Sequence, residues 1–256
     1  MSKIYLIGDI HGRDFWKELK DNTEDLIVFV GDYVDPYTYY EPITKEDALQ
    51  NFKEIIDFAK SRNNVVLLTG NHDMTYFLST DICECRTDYD NYVEIQKLFI
   101  DNKDLFNLAH YIEYNNEKIV VSHAGIHIEW LNEILIDQKD PKSVVSILNQ
   151  RFHNLVNKEY DRKDPFGRAL ACVSYHRGGW GNFGSCVWAD VHEWEDIELL
   201  GKGEKLDCYQ IFGHTQLMKG YPMIGKTIAC IDAKTVYTLD EILEIRNKNI
   251  KKNENN

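Results

Sequence analysis

Six side chains able to hold a metal ion recur along this sequence, each in a turn that follows a short apolar run. Ile4-Tyr5-Leu6-Ile7 leads into Gly8-Asp9-Ile10-His11-Gly12, and Leu26-Ile27-Val28-Phe29-Val30 leads into Gly31-Asp32-Tyr33-Val34-Asp35. Val65-Val66-Leu67-Leu68 is followed by Gly70-Asn71-His72-Asp73, Ile119-Val120-Val121 by Ser122-His123-Ala124-Gly125, and Tyr209-Gln210-Ile211-Phe212 by Gly213-His214-Thr215-Gln216. Asp9, His11, Asp32, Asn71, His123 and His214 are oxygen and nitrogen donors, a mixture that suits manganese, iron or zinc better than calcium. They are more donors than one ion needs. Two ions sharing a carboxylate would use them all, at a spacing of roughly 3.5–4 Å that suits in-line displacement at phosphorus.

Such donors must be delivered by a scaffold, and the apolar runs read as its strands. Runs of four or five β-branched and aliphatic residues are those of strands covered on both faces. The stretch Glu46 to Ser61 reads as an amphipathic helix capped by Thr44, and Arg13 to Asn22 as a shorter one with Phe15, Trp16 and Leu19 inward. Strand, turn and helix units in succession imply parallel strands, whose carboxyl ends are where ligands gather. Residues 74 to 112 read as mainly helical, followed by a hairpin turn at Tyr114 to Lys118. A further helix is expected near 143 to 158, and Thr227 to Asp232 with Thr235 to Leu239 read as a pair of closing strands.

The chain has 256 residues and a formal net charge of −13. A broad face for large nucleic acids or for a membrane surface needs an excess of Lys and Arg that is missing here. Six cysteines occur without the C-x-x-C pairs of a structural zinc site. The start lacks the features of a signal peptide, and no apolar run approaches the roughly 20 residues of a membrane span. A cytoplasmic location is therefore expected.

The ordered turns resemble the calcineurin-like metallophosphoesterases, particularly their serine/threonine phosphoprotein phosphatase branch. The motifs run from residue 8 to residue 215, and Trp188-Ala189-Asp190 is similar to that branch's Trp-Ser-Asp element. The resemblance implies an α/β sandwich of two mixed sheets flanked by helices, in four layers. It implies one domain over 1–245, with a cap or insertion at about 129–207 and a frayed tail from 246 to 256. Asp9, His11 and Asp32 would bind one metal, and Asp32, Asn71, His123 and His214 the other. His72 would be the general acid with Asp73 holding its imidazole, and a metal-bridging hydroxide would be the nucleophile. Asp35 either orients one of the site's side chains or is a turn residue, and Pro36 after it favours the turn.

Gln216 stands where many phosphodiesterases of the superfamily carry a second histidine, which favours the phosphatase side. Two phosphate-binding arginines of the branch are absent: Pro36-Tyr37-Thr38 follows Asp35 in place of Arg-Gly, and Thr69 precedes Gly70. Arg177 and Arg13 are the candidate substitutes. The expected activity is hydrolysis of a phosphomonoester, on a phosphoprotein or a small molecule, by two metal ions, with manganese the first choice. Cleavage of a nucleotide diester or dinucleoside polyphosphate is the alternative within enzymes. A metal-dependent protein that binds a phosphorylated ligand without turnover is the alternative outside them.

Overall fold

The computed structural model describes residues 2–78, 85–158, 161, 163–194 and 205–254. The first sheet holds β1 (Ile4–Ile7), β2 (Leu26–Phe29), β3 (Val65–Leu68), β4 (Phe106–Asn107) and β10 (Val236–Thr238), in the order β10-β1-β2-β3-β4. The second holds β5 (Ala109–Tyr114), β6 (Glu117–Ser122), β7 (Tyr209–Phe212), β8 (Met223–Ile224) and β9 (Ile228–Cys230), in the order β5-β6-β7-β9-β8. Strands β1 to β4 are parallel, and so are β6, β7 and β9, while β10, β5 and β8 pair antiparallel at the margins.

Side-chain alternation along these strands builds the layers. Leu6 lies opposite Val28 and Val28 opposite Val66. Leu6, Val28 and Leu68 share a buried cluster with Ile119, Val121, Ile211 and Ala229, so this is the core between the sheets. Their neighbours Ile7, Phe29 and Leu67 belong to a second cluster with Phe52, Ile55 and Ile56 of α1 (Lys45–Lys60). That cluster continues to Val144, Leu148 and Phe152 of α5 (Pro141–Val156), which cover Val120 on the outside of the second sheet. Helix, sheet, sheet and helix are the expected four layers.

α1 begins as its sequence predicts. Thr44 Oγ1 accepts from Asp47 N at 3.0 Å and Asp47 Oδ2 accepts from Thr44 N at 3.1 Å, a reciprocal cap.

Two expectations are corrected. Among the described residues of 74 to 112, helix is confined to α2 (Asn71–Phe77), α3 (Tyr92–Asp101) and a 3-10 turn at Lys103–Leu105; the chain then enters β4 and, one residue later, β5 of the other sheet. Asn149 of α5 fixes this change of sheet, its Oδ1 accepting from Leu108 N and Ala109 N at 2.9 and 3.1 Å while its Nδ2 donates to Ala109 O at 2.9 Å. The two closing strands form where expected, one in each sheet, β9 joining β7 and β10 joining β1. The tail from 246 is helical as far as Glu254 (residues 255–256 lie outside the described residues), because one helix runs over Leu239–Glu254. Its Ile242 and Leu243 are buried in the core between the sheets, and Arg246 grips both oxygens of Glu117 at 2.6 Å while lying over the Tyr209 ring.

Within the segment 129–207, α5 is the outer layer of the second sheet, and the stretch 174–190 reaches the rim of the site. Residues 195–204 lie outside the described residues.

Candidate metal centre

The parallel strands bring all five turns to one edge of the sandwich. The loops after β1 and β2 are laced together by main-chain bonds from His11 N to Asp32 O at 2.6 Å and from Gly12 N to Tyr33 O at 3.0 Å. The second sheet joins them through Asp9, whose Oδ1 accepts from His214 N at 3.0 Å. His11, Asp32 and His214 have φ of 43°, 54° and 64°, a left-handed backbone that costs side-chain-bearing residues about 1–3 kcal/mol each and collects at functional sites. Two glycines permit the approach. A Cβ on Gly70 would stand 2.1 Å from Asp32 Oδ1, and one on Gly213 would stand 2.2 Å from Asp9 Oδ1.

Asp32 is the meeting point. Its Oδ1 accepts from His72 N at 3.0 Å, which leaves Oδ2 lying 3.5 Å from His11 Nε2 and 3.6 Å from His123 Nε2. The imidazole tautomers follow from the partners on their other side. His11 Nδ1 faces the carbonyls of Val34 and Asp35 at 3.0 and 3.1 Å, and His123 Nδ1 faces Val30 O at 2.9 Å. A carbonyl only accepts, so each Nδ1 carries a proton and each Nε2 points inward; burial keeps the His11 ring neutral, which leaves a lone pair on its Nε2. His123 Nε2 also lies 3.0 Å from Asn71 Oδ1 and 3.1 Å from His214 Nδ1. Carboxylate, amide and imidazole ligand atoms thus converge in one buried place, a grouping suited to a cation.

Among the described residues, two groups of His, Cys, Asp or Glu have ligand atoms within 4.8 Å of one another: His11, Asp32 and His72; and Asp32, His123 and His214. Asp32 belongs to both. Asp9 stands outside these groups, yet its carboxyl is pushed up to about 6 by burial and by the Asp32 charge, with the His123 charge opposing. Burial holds His11 and His214 well below the usual imidazole range, with Arg177 adding to the effect at His214. Neutral imidazole is the form that ligates metal. The donor set fits two ions.

His72 differs from these. Burial disfavours its charge, but the Asp32 charge and a hydrogen bond with Asp35 outweigh it and hold the ring well above its ordinary value. An imidazolium here donates protons rather than binding metal. Its Nδ1 donates to Asp35 Oδ2 at 3.0 Å and to Arg86 O at 2.8 Å.

This reverses the expectation for Asp73. Its two oxygens accept from the N–H groups of Asp32 at 2.8 Å, Gly70 at 2.8 Å and Tyr33 at 3.1 Å, so it staples the β2 and β3 turns. Neighbouring residues in the first turn of α2 diverge around the helix, so Asp73 cannot face His72. Asp35 does, with φ 60°, its Oδ1 accepting in turn from Tyr76 Oη at 2.6 Å and Asp88 N at 2.8 Å. A histidine in need of a carboxylate, beside an aspartate that helix geometry turns away, was the signal available in the sequence.

The arginines also redistribute. Arg13 is buried with its fork on Glu41, Nε to Oε2 at 2.6 Å and Nη2 to Oε1 at 2.9 Å, so it is not presented to a ligand. Lys234 Nζ shares Glu41 at 2.8 Å. Arg177 stands at the rim, with Nη2 donating to Thr215 Oγ1 at 2.8 Å and Nε 2.8 Å from Asp190 Oδ2, beside Trp188, whose ring meets the His214 ring edge-on at 5.6 Å. The sequence reading missed Arg86. Its guanidinium lies 3.7 Å from the centre of the Tyr37 ring, Nε donates to Asp35 O at 3.1 Å, and Nη2 lies 3.3 Å from His11 Nδ1. It sits in a stretch read as helix, where a cation attracts no notice.

The family model of the calcineurin-like phosphoesterases matches residues 2–218. The chain belongs to that family. It is a metal-dependent phosphoesterase. Among solved structures it is similar to a cold-active protein-tyrosine phosphatase of a psychrophilic Shewanella species, at 15% identity and a TM-score of 0.52, over 94% of this chain and 76% of that one. A mutant of a cold-active protein tyrosine phosphatase aligns at 16% identity and a TM-score of 0.56, with the same coverage. At such identities the likeness speaks for the fold. No curated protein matches. Among the described residues no helix is long and apolar enough to cross a membrane.

Proposed function

We propose that this phosphoesterase hydrolyses phosphomonoesters at a centre of two metal ions that share Asp32. Asp9 and His11 complete one side, and Asn71, His123 and His214 the other. The observation that carries the reading is Asp32 Oδ2, lying between the two inward Nε2 atoms of His11 and His123. When bound, manganese, or iron or zinc, supplies Lewis acidity and lowers the pKa of water there.

The residues of the chain do the remainder. His72, hydrogen-bonded through Nδ1 to Asp35, gives its proton to the leaving oxygen. Arg177 and Arg86 flank the centre and pair with phosphate oxygens, the terminal dianion of a monoester being the better match for two guanidinium groups. The substrate is a phosphorylated small molecule or phosphoprotein. With manganese present, p-nitrophenyl phosphate is expected to be turned over at least about tenfold more efficiently than bis-p-nitrophenyl phosphate. A preference for the diester would replace this reading with the nucleotide alternative.

Metal binding carries a pH signature. Asp9 ligates only after losing a proton held to about 6, so manganese affinity measured by calorimetry rises with pH up to about 6 and levels off above it. Without metal the sign is opposite. The folded value exceeds the ordinary 3.8, so the stability Asp9 contributes is complete below about 4 and is lost as pH rises through about 6. At 1.36 kcal/mol per unit this is roughly 3 kcal/mol, read as the difference between wild type and Asp9→Asn in metal-free denaturation at pH 4 and pH 7. A difference that is flat in pH would remove Asp9 from the centre.

A further inference from the structure

Beside the metal centre lies a recess of about 420 Å³ lined by Tyr37, Tyr40, Glu41, Gln216, Leu217 and Lys234. The mechanism above uses none of these six. Two of them tie the recess to the centre. Gln216 stands two residues after His214 on the second sheet's turn, and the Tyr37 ring meets the His11 ring edge-on at 4.9 Å between centroids. Tyr37 also carries the Arg86 guanidinium on its face.

The lining is chemically specific. Tyr40, Leu217 and the part of the Tyr37 ring that Arg86 leaves uncovered supply its apolar surface, while the one carboxylate, Glu41, lies between two cations, Arg13 and Lys234. Burial works against the charge on Glu41, but hydrogen bonds from Arg13 and Lys234 outweigh this and hold its carboxyl down at about 2. The recess is therefore open, with aromatic rings at its edge and a cationic excess of one at its floor, a composition that accepts a flat apolar group attached to an anion.

Resting on the phosphomonoesterase reading, the geometry points to this recess as the seat of an aromatic leaving group joined directly to the phosphoryl oxygen, the phenol of a phosphotyrosine side chain. With phosphorus at the centre, a ring attached through one oxygen reaches the Tyr37 wall, which begins one ring's spacing from His11. A phosphoserine side chain has no group to fill the space. A nucleoside monophosphate sets its base a ribose further away. Offset or edge-on contact with each tyrosine ring contributes about 0.5–1.5 kcal/mol beyond burial, a factor of roughly two to ten per ring.

The test compares kcat/KM for a phosphotyrosine peptide, the phosphoserine peptide of the same sequence and adenosine 5′-monophosphate, in the manganese-loaded wild type and in Tyr40→Ala and Tyr37→Leu. Aryl esters are intrinsically more reactive, so the readout is the change in the ratio between substrates on mutation. Tyr40 is 87% exposed, so its truncation places no burden on folding. Expected is a two- to tenfold fall in the phosphotyrosine to phosphoserine ratio for Tyr40→Ala, and a fall at least as large for Tyr37→Leu. Turnover of both peptides with ratios unchanged in both variants overturns the inference and leaves the phosphomonoesterase reading standing. A loss confined to adenosine 5′-monophosphate also overturns it, in favour of a base-binding recess. If the wild type turns over p-nitrophenyl phosphate but none of the three, the inference fails and the phosphomonoesterase reading stands; if p-nitrophenyl phosphate is untouched as well, both fail.

Discussion

Asp32→Asn is expected to lower kcat/KM by about 10³-fold or more, beyond the 10²–10³ that loss of a single charge-stabilising donor costs. The substitution is close to isosteric, and asparagine tolerates the left-handed backbone that Asp32 adopts at φ 54°. One end of the amide can still accept from His72 N, so the turn is preserved. The loss is the shared anionic oxygen between His11 and His123. Manganese titration of the variant should show fewer than two ions bound, and metal-free denaturation should show stability equal to or above that of wild type, since a buried charge next to Asp9 has gone. Two ions bound with activity within tenfold of wild type would disprove the sharing of Asp32.

Asp35→Asn is expected to cost about 10²-fold in kcat, at the lower end of the range for general acid–base catalysis. Asp35 fixes the His72 ring through Nδ1 and helps keep it protonated. Without its charge the imidazole gives up its proton at lower pH, so the alkaline limb of the kcat profile moves down. Asp73→Asn separates the two aspartates. It leaves His72 with its partner but turns an N–H group against one of the buried N–H donors of Asp32, Tyr33 and Gly70, at a cost of about 1–3 kcal/mol. Denaturation should register Asp73→Asn and the pH profile should register Asp35→Asn. The reverse pattern would restore Asp73 to the role its place beside His72 suggested.

The polar turns were legible because each donor stands immediately after a strand that apolar composition alone reveals, and parallel strands point their carboxyl ends one way. What stayed hidden depended on partners distant in sequence. Asp35 reads as a turn residue until α2 brings His72 to it from 37 positions away. Arg86 gains meaning only from Tyr37 and Asp35, and Arg13 loses its candidacy only when Glu41 takes its fork. The strands β4 and β5 resemble a helix because Phe106, Ala109 and Ile112 are buried at intervals of three, the result of a chain that leaves one sheet and enters the other within a few residues. The last helix looked frayed on charge alone, and Glu117 and Tyr209, which hold it, come from the second sheet.

The donors are divided between the sheets, Asp9, His11, Asp32 and Asn71 on the first and His123 and His214 on the second, with Asp9 and His214 separated by 205 positions. Ions held by both sets would act as a reversible clasp across most of the chain's length. Closing so long a loop weighs on the unfolded ensemble, by about 5 kcal/mol for a covalent link of roughly 100 residues, so metal should slow unfolding of the whole sandwich rather than only order its rim. The catalytic centre would then also be the fastening that keeps the two sheets in register.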